Sequence, residues 1–332
     1  MNINNITNTY IDTLGIRCVC DNKEQRESLS NVLFDFLKEK KIVAIRYNKE
    51  RSNEYYQITD LLYGNTKLAT IAKGYYQNDN NLLNPDYYYV NMNFYGLKRY
   101  NNFKDKASFL LVKTITAFLN KYNIDFRLTE LDIAMDIETK IENVLTVCVS
   151  RSPNVNYYPL GDIDANGNTI QKDDGIYYIE KLSKKQKKNT MSRAYLYDKR
   201  KKELDKFKRE IGFDLTRFEL KLQKRYFVKN EYTGSSLYKA MGKYTVLYFK
   251  DMRQKELFIK NYNNTNNSRQ RKRVVKKLLD NNNAVVLTPR LNNVYHLLRE
   301  IDSSTFDSKG DFKYVKHEDY LYCLSKFNRN LK

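Results

Sequence analysis

The sequence predicts an α+β chain: antiparallel sheets with flanking helices, followed by a mainly helical, basic C-terminal part. Three observations carry this reading. Short runs of alternating polar and apolar residues recur between turn-forming residues, as half-buried strands require. Between them lie stretches with apolar residues at helical spacing, such as Leu29, Val32, Leu33, Phe36 and Leu37. Beyond residue 226 the alternation gives way to helical spacing and a dense positive charge.

In chain order, residues 10–20 read as a strand and 23–39 as an amphipathic helix. Strands follow near 42–47, 55–63, 67–76 and 87–96, with Gly64-Asn65 as a hairpin turn. Phe109, Leu110, Val112, Ile115, Phe118 and Leu119 mark a second helix over 105–121. A strand at 126–137, a helix near 139–149, strands at 175–182 and 192–198, a helix at 199–211 closed by Gly212 and a strand at 215–223 come next. A strand–helix–strands–helix order therefore reads twice, over 10–122 and 126–226, so a pseudo-duplicated unit is expected, with Asp12 and Asp132 in comparable places. The tail, 227–332, reads as helices at 234–262, 268–281, 290–301 and 315–328, with a domain boundary near 226.

The charge balance narrows the partners. The 332 residues hold 59 Lys and Arg against 39 Asp and Glu, a net charge of +20 that calls for a polyanion. No apolar run reaches the ~20 residues needed to cross a bilayer, and Met1-Asn-Ile-Asn-Asn-Ile shows neither a basic leader nor an apolar core, so a cytoplasmic protein without membrane contact is expected. With two histidines, His296 and His317, a His-rich metal site and HExxH are excluded. Cys18, Cys20, Cys148 and Cys323 lack CxxC spacing, which excludes a zinc module and a disulfide framework. Asp162-Ile-Asp164-Ala-Asn166-Gly167 resembles the start of an EF-hand loop, but Asp173 stands where its terminal Glu belongs, and Asn166-Gly167 reads as a turn.

Chemistry has to run on carboxylates, tyrosines and cations, and strand parity gathers them. Alternate residues share a face. Glu130, Asp132 and Asp136 fall on one face of 130–136; Arg217, Glu219 and Lys221 on one face of 216–222; Arg193, Tyr195, Tyr197 and Lys199 on one face of 193–199. The opposite faces are apolar. In one antiparallel sheet this makes a polar surface of acids among cations, which suits phosphodiester chemistry. Carboxylates hold Mg²⁺ or Mn²⁺, cations offset transition-state charge, and a tyrosine attacks phosphorus to conserve the bond as a phosphotyrosine ester.

The ordered set LTELDIAMD (128–136), SRAYLYDKRKKE (192–203) and TRFELKLQK (216–224) resembles the Rep_trans family, the rolling-circle plasmid replication initiators and related relaxases of conjugative elements. Filamentous-phage gene II/X-like replication proteins have a similar layout. The resemblance covers about 87–224 and implies a nicking and strand-transferase domain over 1–226. It implies that Tyr197 is the nicking tyrosine, Lys199 the cation beside the scissile phosphate, Arg217 a phosphate contact, and Asp132 and Glu219 metal-binding acids. Glu130 stands where the family carries Arg, adding an acid beside Asp132 and Asp136, and Ile179-Glu180-Lys181 replaces the family's Gly-Ser step. Tyr195, Tyr177, Tyr178 and Tyr226 compete with Tyr197 for the nucleophile's role.

DNA contacts are expected from two basic segments. Residues 181–210 hold 13 Lys and Arg against 4 Asp and Glu, including Lys184, Lys185, Lys187, Lys188, Arg193, Arg200, Lys201 and Lys202, with Lys221 on the neighbouring strand. Arg269, Arg271, Lys272 and Arg273 open a helix with Val274, Val275, Leu278 and Leu279 on one face, suited to reading an origin in the major groove. The resulting expectation is a metal-dependent endonuclease that starts rolling-circle replication through a 5′-phosphotyrosine at a hairpin nick site, served by a host or element helicase and forming a homodimer. A relaxase with the same chemistry and a non-catalytic DNA-binding initiator or regulator are the alternatives.

Overall fold

The computed structural model describes residues 7–39, 44–48, 55–63, 66–77, 83–97, 103–148, 158–159, 176–178, 191–223, 226–227, 234–289, 291, 294 and 298. It is an α+β fold of antiparallel strands and six α-helices, as the hydrophobic periodicity requires. The chain divides into two compact units, Tyr10–Asp132 with Val294–Lys332, and Ile133–Asn293 with Met1–Thr9. One boundary falls between Asp132 and Ile133, and the helices within 234–280 belong to the same unit as the strands at 192–223.

In the first unit, β1 (Thr7–Cys20) leads into α1 (Lys23–Glu39), then β2 (Ala44–Asn48), β3 (Tyr55–Tyr63), β4 (Thr66–Gln77), β5 (Leu83–Tyr95) and α2 (Phe103–Lys121). The strand order is β2-β3-β4-β5-β1. Tyr63 pairs with Thr66, and the expected turn residues Gly64-Asn65 lie outside the described residues. Register aligns Leu14, Phe94 and Ala69, then Ile16, Met92 and Ile71, on one buried face. That face is covered by Leu29, Leu33 and Leu37 of α1 and the apolar stripe of α2, where Phe36 and Phe118 meet at 4.8 Å. Lys73 reaches Glu27 of α1 at 2.6 Å and Arg26 donates to the Gly74 carbonyl, pinning the helix to β4. The opposite face is polar: Arg17 donates to Asn91 at 3.1 Å and lies over the Tyr89 ring. Cys18 and Cys20 are free and buried, and burial pushes the Cys20 thiol up to about 11, as a packing role requires.

The second unit begins within β6 (Phe126–Ile137) and holds β7 (Val144–Val147), β8 (Tyr158–Pro159), β9 (Ile176–Tyr178), β10 (Ser192–Asp198), α3 (Lys199–Phe207), β11 (Thr216–Gln223), α4 (Gly234–Met241), β12 (Thr245–Tyr248), α5 (Met252–Asn263), α6 (Ser268–Asp280) and β13 (Val285–Leu287). One sheet runs β6-β11-β10-β9-β8 and a second runs β13-β12-β7. Two sequence expectations change here. The segment 139–149 is a 3-10 turn at Ile141–Asn143 followed by β7, not a helix. Val144, Leu145, Thr146 and Val147 are buried on both faces and pair with β12, so a β-branched run prevailed over helical spacing. The expected long helix at 234–262 is α4, β12 and α5, broken after Met241 by the turn at Gly242 and restarted by the Asp251 cap, whose carboxylate accepts from the Arg253 amide. The helix that follows the first strand of the first half thus has no counterpart after β6, yet the sheet order β6-β11-β10-β9-β8 repeats the order β1-β5-β4-β3-β2 of the first unit.

Around the small sheet, Leu145, Val147, Leu247, Phe249, Phe258, Tyr262, Val275, Leu278 and Ala284 form one core. Lys255 of α5 donates to the carbonyls of Glu142 and Val144, joining the helix to the turn that follows β6. Burial lowers its pKa, against the pull of Glu142. The EF-hand-like residues and the helices expected at 315–328 lie outside the described residues.

Candidate active site

β10 ends where its sequence demands. Asp198 leaves the strand in extended conformation and caps α3, accepting from the Lys201 amide at 2.9 Å. Tyr197 is therefore the strand residue just before the cap. The Lys199 amide donates to the Leu215 carbonyl at 2.8 Å, which ties the start of α3 to the strand β11. α3 closes at Lys208, in the left-handed region with φ 51°, rather than at Gly212.

The β10–β11 register pairs Tyr197 with Arg217, Tyr195 with Glu219, and Arg193 with Lys221. Directly opposed residues share a face, so the polar surface expected from parity is present on these two strands. Its reverse face carries Ala194, Leu196, Phe218, Leu220 and Leu222, all buried. The polar face is closed at one end and open at the other. Tyr197 and Arg217 are 2% and 1% exposed, whereas Tyr195, Glu219, Arg193 and Lys221 are half-buried.

Within this face the Tyr197 hydroxyl donates to Glu219 Oε2 at 2.8 Å, a diagonal contact across the ladder. Arg217 forks onto Asp136, with Nε to Oδ1 at 2.6 Å and Nη2 to Oδ2 at 3.0 Å. α3 covers the closed end. Lys202 Nζ stands 4.0 Å from the Tyr197 ring centroid, a cation–π contact. Glu203, itself buried, is ion-paired with Lys199 and with Arg209 at 3.4 Å. Burial alone would raise the Glu203 pKa, but the Lys199 hydrogen bond and the charges of Lys199, Arg209 and Arg217 outweigh it and hold the carboxyl below its ordinary value.

The structure thus brings Tyr197, Glu219, Arg217, Asp136 and Lys199 into one neighbourhood of β10, β11, β6 and α3. The expected roles shift. Asp136, expected at a metal, is engaged by Arg217; Lys199, expected at a phosphate, is engaged by Glu203. Asp132 is buried and Glu130 half-buried on the part of β6 that belongs to the other unit. Among the described residues, no group of three His, Cys, Asp or Glu side chains is placed to hold a metal ion.

Of the rival tyrosines, Tyr195 is half-buried opposite Glu219 and Tyr178 pairs with it from β9, while Tyr226 is buried. Arg200 is exposed and meets Asp214 at 3.3 Å; Lys201 and Lys202 are half-buried. Lys184, Lys185, Lys187 and Lys188 lie outside the described residues. On α6, Arg269, Lys272 and Arg273 are exposed, but Arg271 is buried with Val275 and Leu278. Its spacing of four and seven from those residues puts it on the inward stripe, where its charge partly offsets the burial that pushes the Tyr262 phenol up to about 12. Arg271, expected at DNA, thus lies on the face of α6 that packs inward. Glu203 and Arg209 were not expected at all; the four-residue spacing of Lys199 and Glu203 was their one signal.

No protein-family model and no curated protein matches the chain. Among solved structures it is similar to the rolling circle replication initiator protein from Geobacillus stearothermophilus, with a TM-score of 0.34 and 13% identity over 97% of each chain.

Proposed function

We propose that the protein nicks one strand of DNA and carries the 5′ phosphate on Tyr197, as an initiator of rolling-circle replication. The observation that carries this reading is the 2.8 Å hydrogen bond from the Tyr197 hydroxyl to Glu219, on a sheet face otherwise furnished with cations. A phenol is a poor nucleophile until its proton has an acceptor. Glu219 is that acceptor. The phenolate oxygen then forms the new bond to phosphorus, the P–O3′ bond breaks, and the proton held by Glu219 is available to the departing 3′ oxygen. Arg217, oriented by its fork to Asp136, sets a fixed positive charge directly across the ladder from Tyr197.

DNA docking follows from the same unit. α5 and α6 are joined by four residues, Asn264–Asn267, in the manner of a helix-turn-helix. α6 packs inward through Arg271, Val275 and Leu278 and presents Arg269, Lys272, Arg273, Lys276 and Lys277 outward. That face suits the major groove of an origin duplex. A conjugative relaxase would use the same chemistry.

Supercoiled plasmid carrying the DNA that flanks the coding region, incubated with Mg²⁺ or Mn²⁺, tests the reading. Wild type should relax the plasmid and leave a covalent protein–DNA adduct, Tyr197→Phe should do neither, and Glu219→Gln should slow nicking by about 10²–10⁴-fold. Undiminished nicking and adduct formation by Tyr197→Phe would refute the assignment. DNA binding without cleavage by wild type would favour the non-catalytic alternative, in which Tyr197 is a buried structural residue.

A further inference from the structure

Three cations from three different positions converge on one buried carboxylate beside the nucleophile. Lys199 opens α3, Arg209 follows its end, and Arg217 lies on β11; all three act on Glu203, which is 7% exposed. Arg217 is also the residue directly opposite Tyr197. The spot Glu203 fills therefore favours an anion, and it adjoins the position from which Tyr197 would attack. Lys199 and Arg209 differ in a telling way. The Lys199 side chain is 13% exposed, but that of Arg209 is 57% exposed, so Arg209 is the cation that an incoming phosphate meets first.

We propose that Glu203 is an internal stand-in for a DNA phosphate: in the free protein its carboxylate occupies the anion position between Lys199 and Arg209, and a phosphodiester of the bound strand displaces it. This rests on the DNA-nicking reading and adds to it a specific phosphate subsite and a built-in competitor. A carboxylate and a phosphodiester oxygen make the same charge-assisted hydrogen bonds to Lys and Arg, so the exchange conserves the pairing of Lys199 and Arg209 while Arg217 keeps its fork to Asp136. It also explains why the lysine two residues after Tyr197 is engaged by an acid on its own helix.

The alternative is that Glu203 only braces α3 to its neighbours. Glu203→Gln separates the two, because it keeps the shape and removes the competing charge. The experiment measures equilibrium binding of a fluorescent single-stranded oligonucleotide over a salt series, in a Tyr197→Phe background so that nothing is cleaved. Binding should tighten by about five- to tenfold, the worth of one charged contact, and the dependence of log K on log[salt] should steepen by about 0.7, one counterion's share. Glu210→Gln is the control: an exposed acid of the same segment, with the same change in net charge. Equal tightening by both variants reduces the effect to net charge and overturns the proposal, as does a folded Glu203→Gln that binds no tighter than its parent. Should Glu203→Gln not fold, Arg209→Gln decides instead: its exposed side chain is expendable for folding, and the proposal requires its oligonucleotide affinity to fall about fivefold or more. Unchanged affinity in Arg209→Gln overturns it. A parent protein that binds no DNA at any salt refutes the function proposed above, and only then is the subsite lost with it.

Discussion

Removing the Asp136 carboxylate is the sharpest test of how the polar face is held together. Arg217 is 1% exposed, and the fork from Nε and Nη2 to the two Asp136 oxygens at 2.6 and 3.0 Å is the interaction that fixes it. Asp136→Ala leaves that guanidinium buried without its bidentate partner. Breaking one side of a buried pair costs about 3–5 kcal/mol, far more than the net worth of the intact pair, because the remaining charge stays desolvated. For a unit of this size each kcal/mol moves the melting temperature by about 2–4 °C, so a fall of roughly 6–20 °C is expected. Urea unfolding followed by circular dichroism gives the free energy and a thermal scan the temperature. The double variant Arg217→Met/Asp136→Leu should recover most of the loss, since replacing a buried pair with apolar side chains is often neutral. A single variant that loses less than about 1 kcal/mol, or a double variant no better than the single, would refute the view that desolvation of Arg217 dominates.

Two further outcomes follow. On α6, Arg269→Ala and Arg273→Ala should each weaken DNA binding and lower the salt slope by about 0.9, whereas Arg271→Ala should leave the slope unchanged and lower the melting temperature, because its side chain is buried; filter binding over a salt series and a thermal scan separate the two patterns. The lowered pKa of Glu203 makes its stabilising contribution fully present above its ordinary value of 4.5 and lost as pH falls through the lower folded-state value, so wild type and Glu203→Gln should converge in stability below that pH; a gap that persists into strong acid contradicts the ion-pair origin of the shift.

What the sequence made legible was what depends on local period. Arg193, Tyr195 and Tyr197 share a face with Arg217, Glu219 and Lys221 because strand parity has only two outcomes, and the register joins the two strands without a slip. The inward stripe of α6 was equally readable, since Arg271 stands four and seven residues before Val275 and Leu278. The fork between Arg217 and Asp136 joins positions 81 residues apart, and no local pattern announces such a pair. At 139–149 the apolar run suits either period; pairing with β12, a hundred residues away in the chain, selected the strand. The enclosure of Tyr197 was illegible for the same reason, since it arises from α3 folding back over β10 and β11 and not from the strand's own residues.

That enclosure bears on the order of events at the site. A phenol 2% exposed, bonded to Glu219 and overlain by Lys202, is poised in protonation but closed to a phosphate. Attack needs the phosphorus within near-attack distance, about 3–3.5 Å, of the Tyr197 oxygen. Under the proposed function α3 is therefore the element that has to yield, and it is suited to do so: it has only nine residues and four successive cations in its first turn, offset at the positive end of its dipole by the Asp198 cap. An arriving polyanion relieves that repulsion, while the Asp198 cap keeps the helix joined to the strand end that carries Tyr197. Under the proposed function, the charge that would attract DNA to β10 would also stabilise the conformation in which Tyr197 is uncovered, so binding and activation would draw on the same lysines.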